Sequence, residues 1–171
     1  MSPASRVSIR GARSGDSDQL APLLAQLGYP AGAAEVRQRL ERVLATPGAG
    51  VLVAESRPRR GVPRLAGVGS FQVVQLLERP RPQCRITALV VDAHHRRRGV
   101  GAALVDAIAR IARERGCFRL ELTTNPKRSE ALPFYTALGF RERRYRLVRD
   151  LSPDAPSPPA ARPVPPRAPG A

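Results

Sequence analysis

The stretch from Arg85 to Leu122 constrains the fold more than any other part of the chain. It opens on an apolar run, RITALVV (Arg85–Val91), which reads as a buried strand. A polar segment, Asp92–Arg98, follows. From about Gly99 to Arg115 the residues Val100, Leu104, Ile108 and Ile111 recur at helical spacing. Gly116 stands where a helix C-terminal cap belongs. Phe118, Leu120 and Leu122 then alternate with Arg119, Glu121 and Thr123, the period of a strand. Two strands joined through one helix imply a parallel pair with a right-handed crossover. The fold class is therefore α/β: a central mixed sheet flanked by helices.

The remaining elements extend that core. Val7 and Ile9 mark a short strand over Arg6–Arg10. Asp16 and Asp18 lead a helix carrying Leu20, Leu23, Leu24 and Leu27, broken by Gly28-Tyr29-Pro30. A second helix carries Val36, Leu40, Val43 and Leu44 and stops at Pro47-Gly48. Val51–Glu55 and Leu65–Leu77 are strands separated by the turn Arg57–Pro63. Ser129–Leu138 is a short helix with Ala131, Phe134, Tyr135 and Leu138 along one side, and Phe140–Val148 returns as a strand. The predicted order is β-α-α-β-β-β-α-β-α-β. From Ser152 to Ala171 eight of twenty residues are proline, with almost nothing bulky and apolar to bury. The expected division is a folded domain over 1–151 and a Pro-rich disordered tail over 152–171.

The chain has 171 residues and a formal charge of +15, from 29 Lys+Arg against 14 Asp+Glu. Lys127 is the single lysine. Such a balance makes nucleic acid the first partner to weigh, ahead of a phosphate-bearing small ligand or an anionic membrane. GC-rich coding would also favour arginine over lysine without any ligand. Against nucleic acid, aromatics make up only 4% and no stacking or helix-turn-helix pattern appears. The longest apolar runs are about four residues, far below the roughly 20 that a membrane span needs. Met1–Ser14 lacks the apolar core of a secretory signal, so the cytoplasm is the expected compartment. Cys84 and Cys117 cannot build a disulfide framework or a four-ligand zinc site. They read as small buried hydrophobes, and no metal is expected.

Arg96-Arg97-Arg98-Gly99-Val100-Gly101-Ala102 lies between a strand and the longest helix. A helix start offers unpaired N–H donors and the positive end of the macrodipole. Gly99 and Gly101 lack side chains that would block an anion, and three arginines add forked donors. The combination suits a pyrophosphate. A dinucleotide fingerprint, G-x-G-x-x-G, would need a small residue where Leu104 stands, although Glu121 lies twenty residues beyond Gly101. A Walker loop is excluded, since no Gly-Lys-Ser/Thr follows. The other pattern is R/Q-x-x-G-x-G/A, present as Arg96-x-x-Gly99-x-Gly101. With LVV before it and NPKRSEALPFYTALGF (Asn125–Phe140) after it, the chain resembles the GCN5-related N-acetyltransferase (GNAT) family from about Val7 to Leu151.

The resemblance implies an N-acetyltransferase that takes the acetyl group of acetyl-CoA, as co-substrate, to an amine. Leu89, Val90 and Val91 would bond the pantetheine arm through their main chain, with the N–H of Val90 or Val91 polarising the thioester carbonyl. Backbone N–H groups from Arg97 and Arg98 through Gly99, Val100, Gly101 and Ala102 would cradle the pyrophosphate, with Arg96 at the motif's first position. Tyr135 matches the tyrosine that protonates the departing thiolate. Asn125 matches an asparagine that orders water or the cofactor arm. Many relatives carry a glutamate where this chain has Thr87. Glu121 is the substitute base, unless it pairs with Arg119 or Arg143; a water relay needs neither. His94 and His95 read as solvated. Tyr29 either contacts substrate or staples the first two helices. The resemblance also admits a homodimer. Rival readings are a basic nucleic-acid-binding protein on the same scaffold and a catalytically silent sensor of acetyl-CoA.

Overall fold

The computed structural model describes residues 6–57, 61–124 and 129–143. The chain divides into two units, Met1–Phe140 and Arg141–Ala171. Of the second, residues 141–143 alone are described, and the architecture below is that of the first.

Five strands and four helices follow one another: β1 (Arg6–Gly11), α1 (Ser17–Leu27), α2 (Ala33–Ala45), β2 (Ala49–Arg57), β3 (Arg64–Val74), β4 (Gln83–Val91), α3 (Val100–Glu114), β5 (Leu120–Glu121) and α4 (Ala131–Ala137). This is the predicted order through its ninth element. For the tenth, the strand expected over Phe140–Val148, residues 140–143 carry no strand and the rest lies outside the described residues. The expected boundary at Leu151 and the tail beyond it lie outside them too.

The strands form one sheet in the order β1-β2-β3-β4-β5. The first three pairings are antiparallel and β4–β5 is parallel, as the helical crossover through α3 demands. Two strands are shorter than the alternation suggests. β3 ends at Val74, where its pairing with Gln83 closes the hairpin, so Leu77 stands fully exposed in the turn. β5 keeps only Leu120 and Glu121 of the expected Phe118–Leu122. For the lost end at Leu122 the reason lies in β4. Ser70 pairs with Ala88 while Phe71 pairs with Ile86, which leaves Thr87 as an extra residue. A bulge of this kind bends its strand, and β4 meets β5 only at Cys84–Leu120 and Arg85–Glu121.

Helices cover both faces. Leu20 and Leu23 of α1 and Val36 and Leu40 of α2 pack on Val51, Val53, Val68 and Val90 of one face. The predicted stripe of α3 covers the other, with Leu104 and Ile108 fully buried beside Phe71, Cys84 and Ile86. Cys84 and Cys117 are free and buried. Burial pushes both thiols up, that of Cys84 to about 11, in keeping with apolar packing. Tyr29 is 65% exposed, and its main-chain N–H donates to Leu24 O at 2.9 Å at the end of α1. Among the described residues no helix is long and apolar enough to cross a membrane.

β1 is fixed by an arginine held between two acids. Arg10 donates from Nη1 and Nη2 to both carboxylate oxygens of Asp16 at 2.8 and 2.9 Å, and from Nε to Glu55 at 2.8 Å. Asp16 also accepts the Arg13 N–H at 2.8 Å. The Arg10 guanidinium holds both carboxyls below their ordinary range. A carboxylate depressed in the folded state stabilises it above the ordinary carboxylate pKa, and that contribution disappears as pH falls through the depressed value. The unfolding free energy is therefore expected to hold steady from neutrality to about pH 5 and to decline below about pH 4. Asp16→Asn should cost about 2 kcal/mol at pH 7 and flatten the acid decline. Denaturant melts of both proteins across that range check this. Identical acid limbs would show that Asp16 does not carry the effect.

Candidate active site

Beyond Arg85, the side of β4 that faced β5 has no strand against it among the described residues. The ladder with β3 decides which backbone groups point that way. The Asp92 N–H donates to Ala66 O at 2.9 Å, so alternate residues Val90 and Ala88 also turn towards β3. Leu89 and Val91 turn the other way, into the opening. Of the three strand residues Leu89, Val90 and Val91, two thus turn their main-chain edges away from the ladder, to which the N–H of Val90 belongs. Arg96 reaches back and donates from Nε to Val91 O at 3.2 Å.

The opening runs into the start of α3. Asp92 shapes the approach: its carboxylate accepts from the His94 N–H at 3.0 Å and from Gln26 Nε2 of α1 at 2.9 Å, with His95 Nδ1 at 3.2 Å. Gln26 Oε1 in turn accepts the Ala93 N–H at 3.0 Å. The Gln26 amide is the main cause that holds the Asp92 carboxyl below its ordinary range, with His95 adding to it. His94 is solvated as expected, whereas His95 is half-buried in this turn. Arg96, Arg97 and Arg98 are exposed; Arg97 lies 3.5 Å from the equally exposed Glu130. Arg97 is the one non-glycine residue with positive φ, 58°, among those described.

The two glycines of the motif serve different ends. Gly99 is left-handed at φ 76° and a Cβ there would meet nothing within 4 Å, so its need is conformational. A left-handed residue followed by right-handed Val100 turns successive N–H groups to one side, an anion-binding concavity. Ala103 is the first helix residue to donate backwards, to Gly99 O at 3.0 Å. The N–H groups of Val100, Gly101 and Ala102 precede it and lack helical acceptors. Gly101, by contrast, makes room for a neighbour. A Cβ there would lie 3.1 Å from Cζ of Phe134 on α4 and 3.5 Å from Cγ2 of Val91. Phe134 closes the α3 side of the opening and meets the Tyr135 ring edge to face at 5.0 Å. Phe140 holds the Tyr135 ring from another side at 5.6 Å.

Glu121 stands at the fork, on the last residue that β5 pairs with β4. Its carboxylate has neighbours on both oxygens. Oε1 accepts from Gln83 Nε2 and Arg85 Nε, each at 3.1 Å, and Oε2 lies 3.4 Å from Arg119 Nη2. Arg119 also donates to Gln83 Oε1 from Nε and Nη2 at 2.9 and 2.6 Å. The pairing with Arg119 foreseen as an alternative is therefore present, joined by Arg85. Thr87, on the same face, shares a hydrogen bond with Ser70 Oγ at 2.7 Å. Beside it a cleft of about 120 Å³ runs beneath α1 and α2, lined by Leu24, Val36, Leu40, Ala88, Ser70 and Arg39. Asn125 lies outside the described residues. Among those described, no three His, Cys, Asp or Glu side chains gather as a metal site would need.

The structure thus brings Leu89, Val91, Arg96–Ala102 and Phe134 to one opening, packs the Tyr135 ring against Phe134 and sets Glu121 where β4 and β5 part. Gln26, Asp92 and Phe134 escaped the sequence reading as positioning residues. An acid two residues before His94 is the signature of an Asx turn, a signal for Asp92. Gln26 lies 66 residues away and carried no such mark.

A family model described as the acetyltransferase (GNAT) family matches residues 20–140. Glucosamine 6-phosphate N-acetyltransferase of Trypanosoma brucei brucei is 34% identical over 89 residues, 52% of this chain and 58% of that protein. L-2,4-diaminobutyric acid acetyltransferase of Streptomyces coelicolor is 43% identical over 77 residues, 42% of this chain and 44% of that protein. The chain thus spans about half the length of these curated relatives. A solved acetyltransferase from Trypanosoma brucei superposes with a TM-score of 0.69 at 26% identity, over 85% of this chain and all of that one, 100%.

Gly101 tests the packing directly. Alanine is the better helix former by about 1 kcal/mol, but in this chain its methyl must displace Phe134. Gly101→Ala is expected to lose that gain in the wild-type background and to recover it beside Phe134→Leu. Thermal melts of the four members of the cycle measure the coupling. Equal effects in both backgrounds would mean that Phe134 does not press on the helix start.

Proposed function

Because the chain belongs to the acetyltransferase (GNAT) family, we propose that it is an N-acetyltransferase, carrying the acetyl group of acetyl-CoA to an amine while both are bound. One observation carries this reading: the free edge of β4 at Leu89 and Val91 leads straight into the helix start at Gly99–Ala102. A ligand that is amide-rich along its length and doubly phosphorylated at one end fits that sequence of donors. The pantetheine arm would bond Leu89 and Val91 as a strand does, and the pyrophosphate would meet the N–H groups of Val100, Gly101 and Ala102 amid Arg96, Arg97 and Arg98. The side chains of Val90 and Val100 pack in the core behind them. Asn125 keeps its proposed place beside the arm.

In the reaction the amine nitrogen bonds to the thioester carbon, the C–S bond breaks, and sulfur leaves with the electron pair. The N–H of Leu89 or Val91 would polarise the carbonyl. Tyr135 would give its phenolic proton to the sulfur, its ring set by Phe134 and Phe140. With both oxygens of Glu121 engaged by Gln83, Arg85 and Arg119, the amine's proton leaves to water over Thr87 and Ser70. Holding both reactants in one opening supplies much of the rate. The names of the two curated relatives identify amines that also bear an acid group, glucosamine 6-phosphate and L-2,4-diaminobutyric acid, and such compounds lead the list of acceptors to try.

Calorimetry should show saturable binding of acetyl-CoA, and a panel of amines should release CoA. Tyr135→Phe is expected to lower kcat about 100-fold while changing the affinity for acetyl-CoA less than about threefold. Absence of both heat and thermal shift with acetyl-CoA would sink the reading. Binding without release of CoA on any amine would leave a sensor instead of an enzyme.

A further inference from the structure

The α3 side of the opening is filled by Phe134 beside Gly101 and Val91, so an acceptor must come from the α1/α2 face. The floor of that face is polar. Gln83, Arg85 and Thr87 stand on it from β4, Ser70 from β3, and Arg119 and Glu121 from beside β5. Two guanidiniums share a single carboxylate, which leaves one positive charge over. Arg85 gives Glu121 only its Nε, and its Nη1 and Nη2 have no partner among the described residues. Its side chain is about half exposed, at 53%. The same bond that engages Glu121 tethers the Arg85 side chain through Nε, and the planar group keeps further donors for a second acceptor. The β3–β4 turn carries Arg79 and Arg81 beside the single acid Glu78. Arg79 lies over the Phe118 ring at 5.8 Å and Arg81 reaches Cys117 O at 3.3 Å.

We propose that Arg85 receives an anionic group on the acceptor, and that Glu121 acts as its positioning residue and not as the base. This rests on the acetyl-transfer reading for the identity of the reacting amine. It names the acceptor class: a primary amine bearing a carboxylate or phosphate. Arg85 and Thr87 stand two positions apart on β4, so a short linker suffices to join the acid group and the nitrogen. A short apolar linker between them would pass the mouth of the cleft under α1 and α2. The oxygens of carboxylate and of phosphate both match the guanidinium fork, and the choice between them is left to the measurement.

The test compares 4-aminobutyrate, 3-aminopropyl phosphate and butylamine, which share a primary amine and differ at the far end. Binding of each is measured by calorimetry to the full chain saturated with CoA, which needs no turnover. At least one of the two acids is expected to bind about tenfold or more tightly than butylamine. The tighter of the two identifies the anion. Arg85→Gln should abolish that preference, and Glu121→Gln should shrink it. In turnover, Glu121→Gln should raise KM for the acid and leave the shape of the pH–kcat profile as in wild type. Equal binding of all three amines, or a preference that survives Arg85→Gln, overturns the proposal. So does loss of the acid limb of the profile in Glu121→Gln, which would mark a general base. Acetylation of butylamine without any preference removes this inference alone. Arg85-dependent binding of the acid without acetyl transfer to any amine removes the enzyme reading and keeps the anion site.

Discussion

A strand in the interior of a sheet ordinarily has hydrogen-bonding partners on both edges, and among the described residues β4 has them for only part of its length. The extra residue at Thr87 bends it away from β5 after two paired positions. Main-chain groups of Leu89 and Val91 that face no strand among the described residues follow from that bend. Leaving them without partners is costly unless water or a ligand serves them. Every other part of the site is arranged around this interruption. The ladder with β3 selects which residues face the opening. Arg96 answers the Val91 carbonyl. The helix start that continues the line supplies N–H donors for the same reason that β4 does, since its first turn has no acceptor of its own.

What the sequence revealed follows the range of each signal. The strand RITALVV and the stripe Val100, Leu104, Ile108, Ile111 are local periodicities, and both elements stand where they were read. The parallel pair came from a general rule about crossovers. The shortness of β5 was not legible, because the alternation at Phe118–Leu122 records which side chains are buried and not whether a neighbouring strand stays within reach. The bulge at Thr87 was equally hidden, since no glycine or proline marks it. Gly99 and Gly101 look alike in the motif. Only the packing separates them, one needed for its positive φ and the other for the ring of Phe134. Glu121 was legible as a carboxylate near the site, but its hydrogen-bonding state depended on Gln83 and Arg85, almost forty residues upstream, at separations of 38 and 36.

The arginine excess gains a more definite sense from these contacts. Drift in coding accounts for arginine in place of lysine wherever either would serve. It does not account for positions where the fork itself is used. Arg10 meets both oxygens of Asp16 and one of Glu55 at the same time. Arg119 brings Nε and Nη2 to one Gln83 oxygen and lies 5.0 Å from the centre of the Phe118 ring. Arg115 sits over Phe71 at 5.7 Å while donating to Gly48 O at 3.3 Å. A lysine could supply the charge at each place, but not two directed donors and a flat face together. The sign of the charge is therefore less informative than its geometry. Arg10, Arg115 and Arg119 spend their donors and faces on acids, amides, carbonyls and rings, whereas Arg85 keeps Nη1 and Nη2 without a partner among the described residues and the exposed Arg96–Arg98 lead into the helix start, which is where an anionic ligand would meet them.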